Sequence, residues 1–350
     1  MAEKVVIGMS GGVDSSVAAF LLKEQGYDVL GVTMLTWRKT DDDEAVKDAK
    51  KVAEKLGIPF FTVDFRQEFK KYVMDYFASE YKAGRTPNPC TVCNRFVKWE
   101  ALIKKAKEFG ADYIATGHYA RIDRHPVTGR LVIRDSVTAK KDQTYALYNL
   151  TQDQLAATLM PIGNYEKDEI RQIAARIGLE VAEKGDSQDI CFIPDNDYVA
   201  FLERKYGYKA KKGNYVDLAG KPIGEHKGIV NYTIGQRKGL GVSFGKHMFV
   251  TKIKPETNEI VLGDNDDLFK RTVYADNVNL MAVDKIEGDI RLTAKIRYAH
   301  KKTECTVRMG DDGILECVFD EPQRAPTPGQ ALVLYDGEYV FGGGTIIDAK

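Results

Sequence analysis

The sequence predicts an α/β protein, a doubly wound parallel sheet followed by a small central β domain and a C-terminal β-barrel. Three observations carry this. Strand-like and helix-like segments alternate over residues 1–120, the pattern of parallel strands joined by helical crossovers. Beyond residue 208 helical periodicity fades and short β-like runs recur at roughly ten-residue spacing between turn signals, as in small all-β domains. The chain has 350 residues, enough for two or three domains.

The elements follow in order. Residues 4–9 read as a buried strand and Gly11-Gly12 as a turn. Val17, Phe20 and Leu21 give an amphipathic helix over 15–25, ended by Gly26. Residues 29–35 are a second apolar strand. An acidic stretch at 41–44 precedes a helix over 45–56, closed by Gly57 and Pro59. A third strand is expected at 60–65, helices over 67–81 and 95–109, and a strand at 113–116. Residues 121–150 read as a short hairpin with turn signals at Pro126 and Gly129, residues 151–180 as helical, and 196–206 as a short helix. Later β-like runs lie at 229–232, 247–253, 259–262, 273–280, 290–298, 302–309, 314–319, 331–335 and 339–347. With a break near 268–271, the expected domains are 1–207, 208–270 and 271–350.

Composition narrows the class. Apolar residues at 43% and charged residues at 29% exclude disorder, a collagen-like repeat or a coiled coil as the main architecture. No run of about 18 apolar residues occurs, so no membrane span is expected. The N-terminus lacks the basic, apolar and cleavage regions of a signal peptide, which points to a cytoplasmic protein. Five cysteines, an odd number in a large chain, argue against a disulfide scaffold and for redox, metal or nucleophile roles.

Between the first strand and first helix lies Ser10-Gly11-Gly12-Val13-Asp14-Ser15-Ser16. Glycines let the backbone approach an anion, and a helix N-terminus supplies N–H groups and a favourable dipole. The three serines add hydroxyls, and Asp14 suits Mg²⁺ or a helix cap. The string is neither the common nucleotide triphosphatase loop nor the dinucleotide fingerprint. It resembles the pyrophosphate loop of the ATP pyrophosphatase superfamily.

Cys90 and Cys93 follow Thr86-Pro87-Asn88-Pro89, an extended loop set by two prolines. Cys93 then precedes the helix expected from residue 95, where a thiolate is stabilised. Cys191 lies in a second loop bounded by Gly185 and Pro194. These three could also ligate an iron–sulfur cluster, or a zinc ion with a fourth ligand such as His118. Cys305 and Cys317 sit in β-like runs and read as small buried hydrophobes.

Further strings complete the pattern: Ala115-Thr116-Gly117-His118-Tyr119, Lys141-Asp142-Gln143-Thr144-Tyr145, Ile190-Cys191-Phe192-Ile193, Tyr232-Thr233-Ile234-Gly235-Gln236-Arg237 and Lys295-Ile296-Arg297-Tyr298. Together they span almost the whole chain, which closely resembles the tRNA-specific 2-thiouridylases (MnmA/TrmU family). The resemblance implies an adenine nucleotide alpha hydrolase-like first domain. It also implies ATP-dependent adenylation of the C2 oxygen of the wobble uridine in tRNAs for Lys, Glu and Gln. A persulfide on Cys191 would deliver the sulfur, and Cys93 would be the nucleophile that frees it, leaving a disulfide to be reduced. The chemistry is sound by itself: adenylation makes a carbonyl oxygen a leaving group, and two thiols let one break the other's S–S bond.

By the same resemblance, Gly8, Met9, Ser10, Gly11, Gly12, Val13, Asp14 and Ser15 match the ATP loop, with Met34 and Gly117 as further nucleotide contacts and Mg²⁺ accompanying ATP. Asn88, Pro89 and Cys90 match the target-base loop. His118, Lys141, Asp142, Gln143, Arg297, Tyr298 and Gln330 match tRNA contacts. A cysteine desulfurase or a sulfur-relay protein would be the persulfide donor. Cys90 departs from the family, many members of which carry an Asp there with an acid–base role; Asp186 or Asp189 would then take the proton. Related tRNA thiolases bind a [4Fe–4S] cluster through three cysteines, so Cys90, Cys93 and Cys191 leave a cluster mechanism open. A pyrophosphate-loop synthetase acting on a small metabolite, or a non-catalytic RNA-binding protein, would explain less of the pattern.

Charge balances overall at 51 basic and 51 acidic residues. It is segregated along the chain. Ten Lys/Arg face three acids over 201–250, six face one over 291–308, and seven face two over 81–110. Three basic stretches that coincide with the motifs above predict a phosphate-binding track.

Overall fold

The computed structural model describes residues 2–37, 43–179, 190–242 and 245–350. Its first sheet is parallel throughout and runs β3-β2-β1-β4-β7, with β1 at Lys4–Gly8, β2 at Asp28–Leu35, β3 at Phe60–Asp64, β4 at Tyr113–Ala115 and β7 at Thr158–Leu159. Because strand side chains alternate, β1 sends Val5 and Ile7 into one core and Val6 into another. The first core packs the helices α1 (Val13–Glu24), α2 (Glu44–Leu56) and Lys167–Arg176; the second packs the helical runs over 66–82 and 89–108. The doubly wound expectation therefore holds. Strand order reverses between β2-β1 and β4, so the switch point, where such sheets bind ligands, lies at the carboxyl ends of β1 and β4.

Helix ends follow their capping signals. Asp43 caps α2 by accepting from Ala45 N at 3.0 Å, and Gly57 ends it in the left-handed conformation at φ 63°. Residues 151–180 break up more than their polarity suggested. A capping box at Thr151 and Gln154 starts a helix of five residues, Gln152–Ala156, and β7 intervenes before the helix Lys167–Arg176.

The central domain is a four-stranded sheet, β10-β11-β8-β9, from β8 (Gly213–Val216), β9 (Pro222–His226), β10 (Phe249–Lys254) and β11 (Glu259–Gly263). The first two strands escaped the sequence reading, and 229–232 is a tight turn rather than a strand. A six-stranded antiparallel barrel closes the chain: β12 (Phe269–Leu280), β15 (Leu315–Arg324), β14 (Thr303–Met309), β13 (Ile290–Lys295), β16 (Ala331–Asp336) and β17 (Tyr339–Ala349), with β17 returning to β12. The hairpin β5 (Arg121–Arg124) and β6 (Leu131–Arg134) leaves the first domain to pair with β17 through Arg134 and Tyr339. The second core runs without a break from the parallel sheet into this barrel. Tyr145 donates to Ala331 O at 2.8 Å, and a Cβ on Gly343 would lie 2.8 Å from the Tyr148 ring. Among the described residues no helix is long and apolar enough to cross a membrane.

Candidate active site

The phosphate loop folds on itself. Gly12 is the N-cap of α1 and offers no side chain, so Asp14 does not cap. Its carboxylate instead accepts from Lys167 Nζ at 2.8 and 2.9 Å and from the Tyr119 hydroxyl at 2.7 Å. Ser15 Oγ accepts from Ser10 N at 3.1 Å, while the Ser15 and Ser16 hydroxyls donate to Gly12 O at 3.2 and 2.8 Å. These serines shape the loop as well as edging it. Gly11, at φ +73°, presses against the Ala45 backbone where a Cβ would clash. A Cβ on Gly117 would lie 2.7 Å from Ser15 N, so only glycine lets the exit of β4 touch the start of α1. Met9 is buried and pinned to β2 through Val32 O at 2.8 Å, and Met34 fills the space beside Gly8.

The loop opens on a cavity of about 670 Å³. Ser10, Gly12, Val13 and Asp14 of the loop line it, with Lys167 and Tyr119, and so do Asn88, Cys90, Asn94 and Lys98 of the cysteine segment. His118, Lys140, Lys141, Gln143 and Tyr298 line the same cavity. His118 Nδ1 is 2.8 Å from Thr116 Oγ1. Burial, reinforced by the Lys98 charge, holds the His118 imidazole well below its usual pKa, so the ring is neutral at physiological pH. Gln143 accepts from Tyr119 N at 2.9 Å, tying its segment to the exit of β4. The Asp142 carboxylate accepts from Ser136 N at 2.9 Å and Thr144 N at 3.1 Å, and its carbonyl accepts from the Tyr298 hydroxyl at 2.9 Å. Asp142 is thus engaged as scaffold between two residues that face the cavity.

Three of the expected tRNA contacts, Asp142, Arg297 and Gln330, are not among the residues that line the cavity. Arg297 donates to Arg324 O at 3.3 Å. Gln330 donates to Thr86 O at 2.9 Å and Pro87 O at 3.3 Å, beneath the segment that leads to Asn88.

The cysteine segment differs from the expected one. The helix starts six residues early: Pro89 occupies its first turn, Asn88 is the N-cap, and Pro89–Val92 leads into a π-helical run, Cys93–Ala101. Pro at the first helical position loses no hydrogen bond, which the extended-loop reading overlooked. The position nearest the helix N-terminus belongs to exposed Cys90, and Cys93 lies a turn deeper, half-buried. Burial pushes the Cys93 thiol up from 9.0 to about 12, with the Lys98 charge opposing and Cys191 and Cys90 adding to the rise. The expected helix-stabilised thiolate is corrected accordingly: desolvation outweighs the dipole. Those contributions put Cys90 and Cys191 within electrostatic reach of Cys93. Cys191 is exposed on its loop, and none of the five cysteines is disulfide-bonded.

The donor set does not fit a cluster or a zinc ion. Among the described residues no three His, Cys, Asp or Glu side chains converge as a metal site, and His118 is turned to Thr116. Asp186 and Asp189 lie outside the described residues. Lys167, Lys98 and Lys140 were not expected as site residues, since a single Lys carries no spacing signal, and Tyr119 stood in a motif string without a role assigned to it.

Fold and site together define an enzyme whose phosphate loop sits at the switch point of a parallel sheet, with Cys90 lining the same cavity and Cys93 one turn further along the helix. Family models agree with this architecture: a tRNA methyl transferase HUP domain over residues 3–195, a tRNA methyl transferase PRC-barrel domain over 200–264 and an aminomethyltransferase beta-barrel domain over 270–346. The chain is 56% identical to the tRNA-specific 2-thiouridylase MnmA of Lachnoclostridium phytofermentans, over 99% of both chains. It is 54% identical to the protein of that name from Clostridioides difficile, over 99% of this chain and 98% of that one. The chain belongs to the tRNA-specific 2-thiouridylase family, a family of sulfurtransferases.

Proposed function

We propose that this chain thiolates C2 of the wobble uridine of tRNAs for Lys, Glu and Gln in two steps within the one cavity. ATP binds with its phosphates at Ser10–Ser15 and its adenosine towards Met34 and Gly117; Asp14 is the carboxylate suited to an accompanying Mg²⁺. The uridine C2 oxygen attacks the α-phosphate, pyrophosphate leaves, and Lys167 offers positive charge at that end. The terminal sulfur of a Cys191 persulfide then attacks C2 and AMP leaves. The Cys93 thiolate attacks Cys191 Sγ, the S–S bond breaks, and the sulfur stays on C2 while a Cys93–Cys191 disulfide forms. An external reductant restores both thiols, and a cysteine desulfurase or relay protein reloads Cys191. Lys98 is the cation suited to lowering the Cys93 pKa when the reaction needs the thiolate. Asn88, Pro89 and Cys90 receive the base. His118, Lys141, Gln143, Arg297 and Tyr298 guide the anticodon, on domains divided near residues 207 and 270.

The observation that carries this reading is a single cavity joining the phosphate loop to the Asn88–Cys90 segment, with Cys93 in electrostatic reach of Cys191. Mass spectrometry of the wobble nucleoside after incubation with ATP, a persulfide donor and tRNA tests it. Cys93→Ser and Cys191→Ser are expected to abolish 2-thiouridine while tRNA-dependent release of pyrophosphate persists. Full thiolation by either variant would overturn the assignment.

A further inference from the structure

The segment before the cysteine helix is where all three parts of the chain meet. Thr86 N donates to Pro328 O of the barrel at 2.9 Å, and Thr86 O accepts from barrel Gln330 Nε2 at 2.9 Å. The Thr86 hydroxyl lies 3.1 Å from that of Thr233 in the central domain. The barrel side is rigidly built: Gly329 N donates to Ile346 O at 2.9 Å, and Ile346 N to Gln330 O at 2.8 Å. Gly329 has φ +93°, and a Cβ there would lie 2.7 Å from Thr86 O. The central side is equally fixed. Thr233 N donates to Gln236 Oε1 at 3.0 Å, and Val250 N to Gln236 O at 2.9 Å on β10. Gly84, at φ +70°, leaves room for Pro255 and Ile253 that a Cβ would contact at 2.8 and 2.9 Å.

Two residues beyond Thr86 stands Asn88, and Pro87 between them has a fixed φ that transmits the placement of one end to the other. We propose that Thr86 is a positioning residue for thiolation. It carries the placement of the central and barrel domains into the Asn88–Cys90 segment, so that a tRNA seated on those domains aligns the base-receiving loop. This rests on the reading that Asn88–Cys90 receives the target uridine. Gln330 then acts by holding the Thr86 and Pro87 carbonyls rather than by touching RNA.

The test uses Thr86→Val and Thr233→Val, which keep shape and remove the hydroxyl contact, alone and together in the full-length protein. Each is expected to lower kcat for tRNA thiolation by roughly tenfold, since small misplacements at a reacting centre are amplified in rate. The KM for tRNA should stay within about twofold, because no RNA contact is removed. The double variant should be no worse than either single one, since one shared contact is lost. Thr86→Ser, which keeps the hydroxyl, should restore the wild-type kcat. Unchanged kcat in Thr86→Val, a loss confined to KM, or additive effects in the double variant would each overturn the proposal. Asn88→Ala assayed alongside separates the two claims. Full activity there sinks the base-loop reading, whereas a crippled Asn88→Ala beside a fully active Thr86→Val sinks only the role of Thr86.

Discussion

At the residue scale Cys90, Cys93 and Cys191 differ in environment more than in sequence context. Cys90 and Cys191 are exposed and Cys93 is half-buried, so maleimide or iodoacetamide at pH 8 should label Cys90 and Cys191 before Cys93, read by peptide mass spectrometry. Cys93 labelling first would contradict the packing. The raised pKa also ties Cys93 to stability. The unfolded thiol titrates near 9.0 and the folded one near 12. Below pH 9 both states keep the proton and the contribution is fully present; it is lost as pH rises through that window. Cys93→Ala should therefore flatten the fall of Tm between pH 9 and pH 11 relative to the wild type. The identities of these cysteines stood out in sequence through their prolines and spacing. The Cys93 pKa did not, because it depends on burial beneath neighbours far along the chain.

At the element scale the phosphate loop was readable as a motif, while its support was not. Gly117 lies about a hundred residues from Ser15 in sequence, yet it touches the start of α1. Gly117→Ala would push on backbone rather than a flexible side chain, and should destabilise the fold by about 1–3 kcal/mol. It should also weaken ATP use more than Gly26→Ala, a position where φ +90° strains an alanine but no neighbouring atom meets its Cβ; Tm and pyrophosphate release measure both. Asp14 and Lys167 form a comparable tertiary pair, with side chains 29% and 11% exposed. Lys167→Met should raise the KM for ATP, or lower kcat, without altering tRNA binding. The cysteine helix shows the limit of boundary signals. Pro87 and Pro89 were expected to hold an extended loop, and Pro89 instead begins the helix.

At the scale of the whole molecule, charge pairs reach across the domains. Glu338 on the turn between β16 and β17 bonds Arg134 at 2.8 Å and Arg121 at 3.1 Å on the β5–β6 hairpin, and Lys302 bonds Asp135 at 2.6 Å. Glu338 is 41% exposed, so Glu338→Gln should lower stability by no more than about 1 kcal/mol. Such pairs also temper the basic stretches. Over 291–308, Arg291 is paired with Asp320, Lys302 with Asp135 and Arg308 with Glu316, while Lys295 stacks over Tyr145 and Tyr298. Phosphate contacts are accordingly fewer than the raw count suggests. Raising salt from about 50 to about 200 mM should still weaken tRNA binding by on the order of tenfold or more, as counterions released from phosphates are taken back. A flat response in filter binding would contradict a phosphate-binding track.

The sequence by itself determined the order of architectures, the phosphate loop and the family. Each is written in local spacing: the change of period near residue 208, the Ser10–Ser16 string, and motifs met in order along the chain. Tertiary structure alone decided that the β5–β6 hairpin joins the barrel, that Asp14 meets Lys167, that His118 is neutral and that Thr86 joins three domains. These rest on contacts between residues distant in sequence and on the burial those contacts create, and no local pattern encodes either.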